Sequence, residues 1–147
     1  VAGRTTLLLE LKSRFDGDLR LARRAAEVLA GYSGPTAAMS FDPALIEAIR
    51  VIAPGITRGL VAERYYAEHE WDAMSAFEKR RMAFMLHFNR TRPHFVAYSL
   101  KDLPAAVPLA MQLLFRLPLL TWTVRSPEDL SHARRWANQI IFEGIRP

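Results

Sequence analysis

At 147 residues the chain is long enough to bury roughly 70% of its unfolded surface as one domain, and with half of its residues apolar and 24% charged its composition argues against disorder. The formal charge of +5 is interleaved with acids and lacks the basic and aromatic alternation of single-strand binders, so nucleic acid is not an expected partner. The absence of cysteine removes disulfides, thiol catalysis and thiolate metal sites, and suits the cytoplasm, the expected compartment, or else the periplasm. No signal peptide is visible after Val1.

Residues 7–15, LLLELKSRF, open as an apolar strand ending in a carboxylate, Glu10, with an ammonium, Lys12, two positions later. Strand alternation puts both on one face near the C-terminal tip. Lysine is scarce, with only Lys12, Lys79 and Lys101 among twenty basic residues, so one beside Glu10 stands out. The other reading of the pair is a surface ion pair. Asp16 can cap a helix running to about Leu29, with Leu19, Leu21, Ala22, Ala25, Val28 and Leu29 as its apolar stripe, ended by Gly31 to Gly34. Residues 36–41, TAAMSF, form a short strand, and Asp42-Pro43 is a cap followed by proline at the first helical position, opening a helix over 44–52.

Pro54-Gly55 breaks the chain before a strand at 56–62. A helical pattern spans 71–88, with Ser75 and Glu78 offering a capping box inside it. A strand at 94–100 precedes a helix at 103–115 and a strand at 118–124. The apolar passage 103–124 is interrupted by Pro104, Pro108, Gln112, Arg116 and Pro118, which favours a buried helix and strand over a membrane span. That helix is apolar nearly all round, which also allows a monotopic membrane contact through 107–115. Ser126-Pro127-Glu128-Asp129 starts a helix running to Ala137, and 139–143 is the last strand.

Six strands alternate with five helices, the pattern of parallel strands joined by right-handed crossovers. No glycine-rich phosphate loop follows any strand, which weighs against a dinucleotide-binding open sheet. The expected fold is α/β, a (β/α) barrel of the TIM type with about six of its eight strands, forming a single domain over 1–147. Barrel sites form at the C-terminal strand ends, which makes Glu10, Lys12, Ser40, Glu63, Ser99, Trp122 and Glu143 the candidates. Trp122 would share a strand face with Leu120 and Val124, a position that equally suits a core filler.

The runs LLLELKSRF, AAMSFDP, LLTWTVRSPED and QIIFEGIRP, in this order, resemble the C-terminal part of the glycerophosphodiester phosphodiesterase family. The matching positions are Glu10 and Lys12, Ser40 and Phe41, Trp122 to Val124 followed by Arg125, and Glu143 with Pro147. The resemblance implies a phospholipase C-like barrel that hydrolyses glycerophosphodiesters, such as glycerophosphocholine, to glycerol phosphate and an alcohol. It also implies a divalent cation, Mg or Ca, held by carboxylates, and two histidines as general acid and base. On it, Glu10 is a metal ligand, Lys12 a catalytic cation on the phosphate, and Trp122 and Ser40 contacts to substrate.

No strand of this sequence carries the family's His-Arg-Gly or Glu-x-Asp pattern, and no His-Asp segment occurs. The family's late Thr-Asp pair is here Phe142-Glu143. His69, His87, His94 and His132 fall outside matching motifs and read as surface or structural histidines. The chain is therefore expected to carry only part of a site, to be inactive by itself and to bind a dication weakly or not at all. Its expected complement is a missing N-terminal barrel half or a second copy. The alternative is a non-catalytic module pairing with another chain through open strand edges.

Overall fold

The computed structural model describes residues 3–147. Its strands are β1 (Leu7–Glu10), β2 (Thr36–Ser40), β3 (Thr57–Ala62), β4 (Phe95–Ser99), β5 (Leu119–Val124) and β6 (Gln139–Phe142), ordered β1-β2-β3-β4-β5-β6 in one sheet. The helices are α1 (Arg20–Ala30), α2 (Pro43–Ile52), α3 (Ala76–Ala83), α4 (Phe88–Thr91), α5 (Ala106–Phe115) and α6 (Pro127–Ala133). β1 with β2, β2 with β3, β4 with β5 and β5 with β6 all pair in parallel. A doubly wound sheet reverses its order at a switch point, whereas a barrel keeps sequence order. The fold is therefore α/β, six strands of a (β/α) barrel.

The chain divides into two compact units, Val1–Val61 with His87–His94, and Ala62–Leu86 with Phe95–Pro147. In the first, Leu7 lies opposite Thr36 and Glu10 opposite Met39. Its core joins Ala22, Ala25, Ala26 and Leu29 of α1 to Leu45, Ala48 and Ile49 of α2. The alanines let the two helices approach closely, and each fully buried Leu or Ile there contributes about 1.5–3 kcal/mol. Asp42 starts α2 as its sequence demands, accepting from Ala44 N at 2.8 Å with Pro43 at the first helical position. Asp16 does not cap α1. Its carboxylate accepts from Asp18 N, Asp18 in turn accepts from Arg20 N, and α1 begins at Arg20 without a side-chain cap.

Arg58 is buried without a carboxylate partner in the described hydrogen bonds. Its guanidinium donates to Thr91 O at 3.0 Å, and the ring Nδ1 of His94 accepts from Arg58 N at 3.1 Å. Desolvation, then Arg50 and Arg92, hold the Arg58 pKa below its ordinary value. Backbone carbonyls here take the place of a counter-ion.

In the second unit, Val96, Tyr98, Leu103 and Leu119 share a core cluster on which Val107, Leu109 and Met111 of α5 pack. The helical pattern over 71–88 resolves into pieces. Trp71 closes a single 3-10 turn, His69–Trp71, and meets Tyr66 edge-on with ring centroids 5.1 Å apart. α3 begins only at the capping box, where Ser75 Oγ accepts from Glu78 N and the Glu78 carboxylate accepts from Ser75 N. Met85, at φ 50°, stops the helical path.

β5 also departs from simple alternation. Its pairing with β6 shifts register between Thr121 and Val124, and such a shift re-aims the residues that follow. Leu120 and Trp122 are half-buried, while Val124 is fully buried with Leu100 of the β4 end and Ala133 of α6. Val124 therefore does not share the face of Trp122, contrary to the alternation expected from sequence.

Candidate functional site

Two groups of expected site residues lie at C-terminal strand ends. At the tip of β1, Lys12 Nζ meets Glu10 Oε1 at 2.6 Å. Leu11, between them, is buried, and its N donates to Met39 O at 2.8 Å, extending the β1 alternation one residue past the strand. That extension keeps the acid and the amine on one side. The Lys12 side chain is 75% exposed and that of Glu10 30%, so the carboxylate is a seated partner and the ammonium a mobile one.

The backbone beside this pair is held by a chain of polar contacts. Ser40, expected to touch substrate, is fully buried; its hydroxyl donates to Leu11 O at 2.7 Å and accepts from Asp42 N at 3.0 Å. Asp42 uses one oxygen on Ala44 N and the other on Ser13 Oγ, at 2.5 Å, and Ser13 accepts from Phe15 N at 2.9 Å. Ser40 thus fastens the segment carrying Lys12 to the start of α2. Ser13 and Asp42 complete the fastening. The Asp-Pro cap was legible in sequence, but nothing local marks the second carboxylate oxygen as bound for Ser13.

The second unit holds a cavity of about 560 Å³ lined by Ser99, Leu100 and Lys101 of the β4 end, Trp122 and Thr123 of β5, Arg125, Glu128, Asp129 and His132 of the α6 start, and Glu63 and Glu68 after β3. Asp129 accepts from Arg125 N at 2.9 Å and donates its own N to Ser126 Oγ at 3.1 Å, so the start of α6 is closed on itself. Glu143, a sequence candidate, pairs instead with the Arg125 guanidinium at 2.8 Å, both side chains being well exposed. His132 Nε2–H donates to Leu103 O at 2.8 Å. Burial raises Glu63 above the ordinary carboxylate value, and the nearby Glu68, Asp102 and Glu70 add to the rise. Sequence reasoning missed Lys101, Glu128 and His132 as lining residues, although each follows a strand end or a helix start.

Among solved structures, a glycerophosphodiester phosphodiesterase from Thermotoga maritima matches 97% of this chain with a TM-score of 0.63 at 16% identity. A phosphodiesterase from Oleispira antarctica, solved with the product sn-glycerol-3-phosphate, matches 94% with a TM-score of 0.67 at 15% identity. A candidate glycerophosphoryl diester phosphodiesterase from Silicibacter pomeroyi matches 93% with a TM-score of 0.67 at 25% identity. The chain has the fold of the glycerophosphodiester phosphodiesterases. It spans about half the length of these structures, 55%, 51% and 46% of the three chains. No family model and no curated protein matches the sequence.

A hard dication, the cofactor that the sequence resemblance implies, needs several oxygen ligands. Among the described residues no three His, Asp or Glu side chains gather into a metal-holding group. Glu10 offers one carboxylate, and it is engaged by Lys12. The residues present do not make a dication site on their own. Of the histidines, His69 is exposed and paired with Asp72 at 3.0 Å, His94 accepts from Arg58 N, and His132 bonds a backbone carbonyl.

Proposed function

We propose that this chain is the part of a glycerophosphodiester hydrolase that contributes Glu10 and Lys12, acting on diesters that yield glycerol phosphate and an alcohol. The observation that supports the reading most is the 2.6 Å pair at the C-terminal tip of β1, the end at which barrels of this fold class do chemistry. Negative charge grows on the phosphoryl oxygens as the ester bond breaks, and an ammonium within reach lowers the barrier by meeting that charge. Lys12, exposed yet anchored through Glu10, suits the task. Glu10 is proposed as one oxygen ligand of a divalent cation, Mg or Ca, whose remaining ligands this chain does not supply. Ser40 is proposed to act on substrate through the Leu11 carbonyl, by holding the Lys12 segment in place. Trp122 is proposed as a wall for the alcohol part.

Calorimetric titration with sn-glycerol 3-phosphate tests the reading. The expected result is binding that Lys12→Met weakens about tenfold or more, the value of a charge-assisted contact. Absence of binding, or binding indifferent to Lys12→Met, would count against it. The chain by itself is expected to hydrolyse glycerophosphocholine only at trace levels; turnover abolished by Glu10→Gln would overturn that expectation while supporting the site.

A second reading, a non-catalytic module that pairs with another chain, draws support from β1 and β6, which stand at the two ends of the strand order. Such edges offer unpaired backbone groups. Sedimentation velocity showing a monomer at all concentrations would argue against a second copy as the partner.

A further inference from the structure

Successive side chains of β4 point to opposite faces of the sheet. Ser99 lines the cavity of about 560 Å³ at the strand ends, whereas Tyr98 faces the helices, in the cluster with Val96, Leu103 and Leu119 on which Val107 packs. There Tyr98 lines a second cavity of about 330 Å³, bounded by Arg64 and Tyr65 after β3, Ala83 and Phe84 at the end of α3, and residues 104–107 at the start of α5. The two cavities share no lining residue. Tyr98 is 2% exposed, and among the described residues its hydroxyl has no hydrogen-bond partner in the protein. Burial pushes its pKa up to about 12, Asp102 adds to the rise and Arg64 opposes it. The hydroxyl therefore stays a donor at neutral pH and lies close enough to Arg64 to feel its charge. A buried hydroxyl left without an acceptor is costly, and at a cavity wall a ligand can supply one.

The rest of the lining divides into positive groups and an apolar floor. The Arg64 guanidinium carbon sits 5.0 Å from the Tyr65 ring centroid, and no carboxylate pairs with that guanidinium among the described residues. α5 opens at Ala105 with no side-chain cap and no acid in its first turn, so the positive end of its dipole meets the cavity wall uncompensated. The acids whose charge reaches Tyr98, Asp102 and Glu63, lie outside the lining, and Asp102 accepts from Arg64 N at 2.8 Å. Ala83, Phe84, Pro104 and Val107 supply the apolar remainder. The geometry points to a binding site in this cavity for a small amphipathic carboxylate, its head on Tyr98 Oη, Arg64 and the start of α5, and its tail against Phe84, Pro104 and Val107. The head is an anion because a tyrosine donor, a guanidinium and a helix N-terminus converge on it. A planar carboxylate matches the guanidinium fork and keeps a lone pair for the hydroxyl. A volume of this size, mostly apolar with a few convergent polar groups, is that of a small-molecule site. Neither Glu10 nor Lys12 takes part, so the site stands apart from the hydrolase reading.

Calorimetric titration of the whole chain with octanoate, and with octan-1-ol as its uncharged counterpart, tests the site. Octanoate is expected to bind at least about tenfold more tightly than octan-1-ol, because the alcohol forfeits the charge-assisted contacts. Arg64→Met is expected to weaken octanoate about tenfold and Tyr98→Phe about fivefold, with unchanged circular dichroism spectra. Since the Tyr98 hydroxyl has no partner in the protein, Tyr98→Phe keeps the fold and isolates the ligand contact. Ala83→Trp, which fills the cavity from the end of α3, is expected to abolish binding. Saturating sn-glycerol 3-phosphate is expected to leave octanoate affinity unchanged. Octanoate binding by a chain that fails to bind sn-glycerol 3-phosphate would support this site and sink the hydrolase reading alone. No octanoate binding, equal affinity for octan-1-ol, indifference to both Arg64→Met and Tyr98→Phe, or competition with sn-glycerol 3-phosphate would each overturn the inference.

Discussion

The β1 and β2 tips of the first unit and the cavity of the second are built on opposite economies of polar groups. Around Glu10 and Lys12 the supporting polar groups are mutually satisfied: Ser40, Asp42 and Ser13 form one connected set that pins the backbone, leaving only the lysine free to move. In the cavity, acids crowd one another. Glu63 sits half-buried, its burial raises its pKa, and Glu68, Asp102 and Glu70 nearby add to the rise. The first arrangement is held by satisfied hydrogen bonds, whereas the second contains a carboxyl whose pKa is raised.

The largest effect that would break this contrast is expected from Asp42→Ala. It removes the α2 cap and strands Ser13, for a loss of about 2–3 kcal/mol in chemical denaturation; a loss under about 0.5 kcal/mol would mean that the network does not stiffen the tip. Next comes Glu63→Gln. The folded pKa of Glu63 lies above 4.5, so the stability associated with its proton is full below about pH 4.5 and lost as pH rises through the folded value. The variant is therefore expected to melt higher than the native protein at pH 7.5 and to match it near pH 4. Equal melting at both pH values would show Glu63 to be freely solvated.

A smaller effect is expected on the stability side from Lys12→Met, under about 1 kcal/mol because the ammonium is mostly in water. A larger loss would make the pair a structural clamp and weaken its candidacy as a site. The smallest is Arg125→Ala, which breaks the exposed contact with Glu143 and is expected to change stability by less than about 0.5 kcal/mol. Thermal melts at low and high salt would detect anything greater.

The order of the six strands was legible because it is written in local chemistry. Asp42-Pro43 and Ser126-Pro127 each start a helix where the sequence says one starts, whereas the Ser75 and Glu78 box, expected inside a helix over 71–88, opens α3 instead. Asp16 misled because a carboxylate can bond the next turn as readily as a helix, and here it takes Asp18 N. The helix expected over 71–88 broke because Trp71 finds Tyr66, a contact that periodicity does not register. Val124 left the face of Trp122 because its partner strand imposes a register shift.

By itself, the sequence determined the alternation of elements and placed an acid and an amine two residues apart at a strand end, since each depends on neighbours within a few positions along the chain. The tertiary structure alone decided that Ser40 is a fastener spanning to Leu11 and that Asp102 lies close enough to Glu63 to add to its raised pKa. Those contacts join residues tens of positions apart, and burial and charge at such distances arise only once the chain has closed on itself.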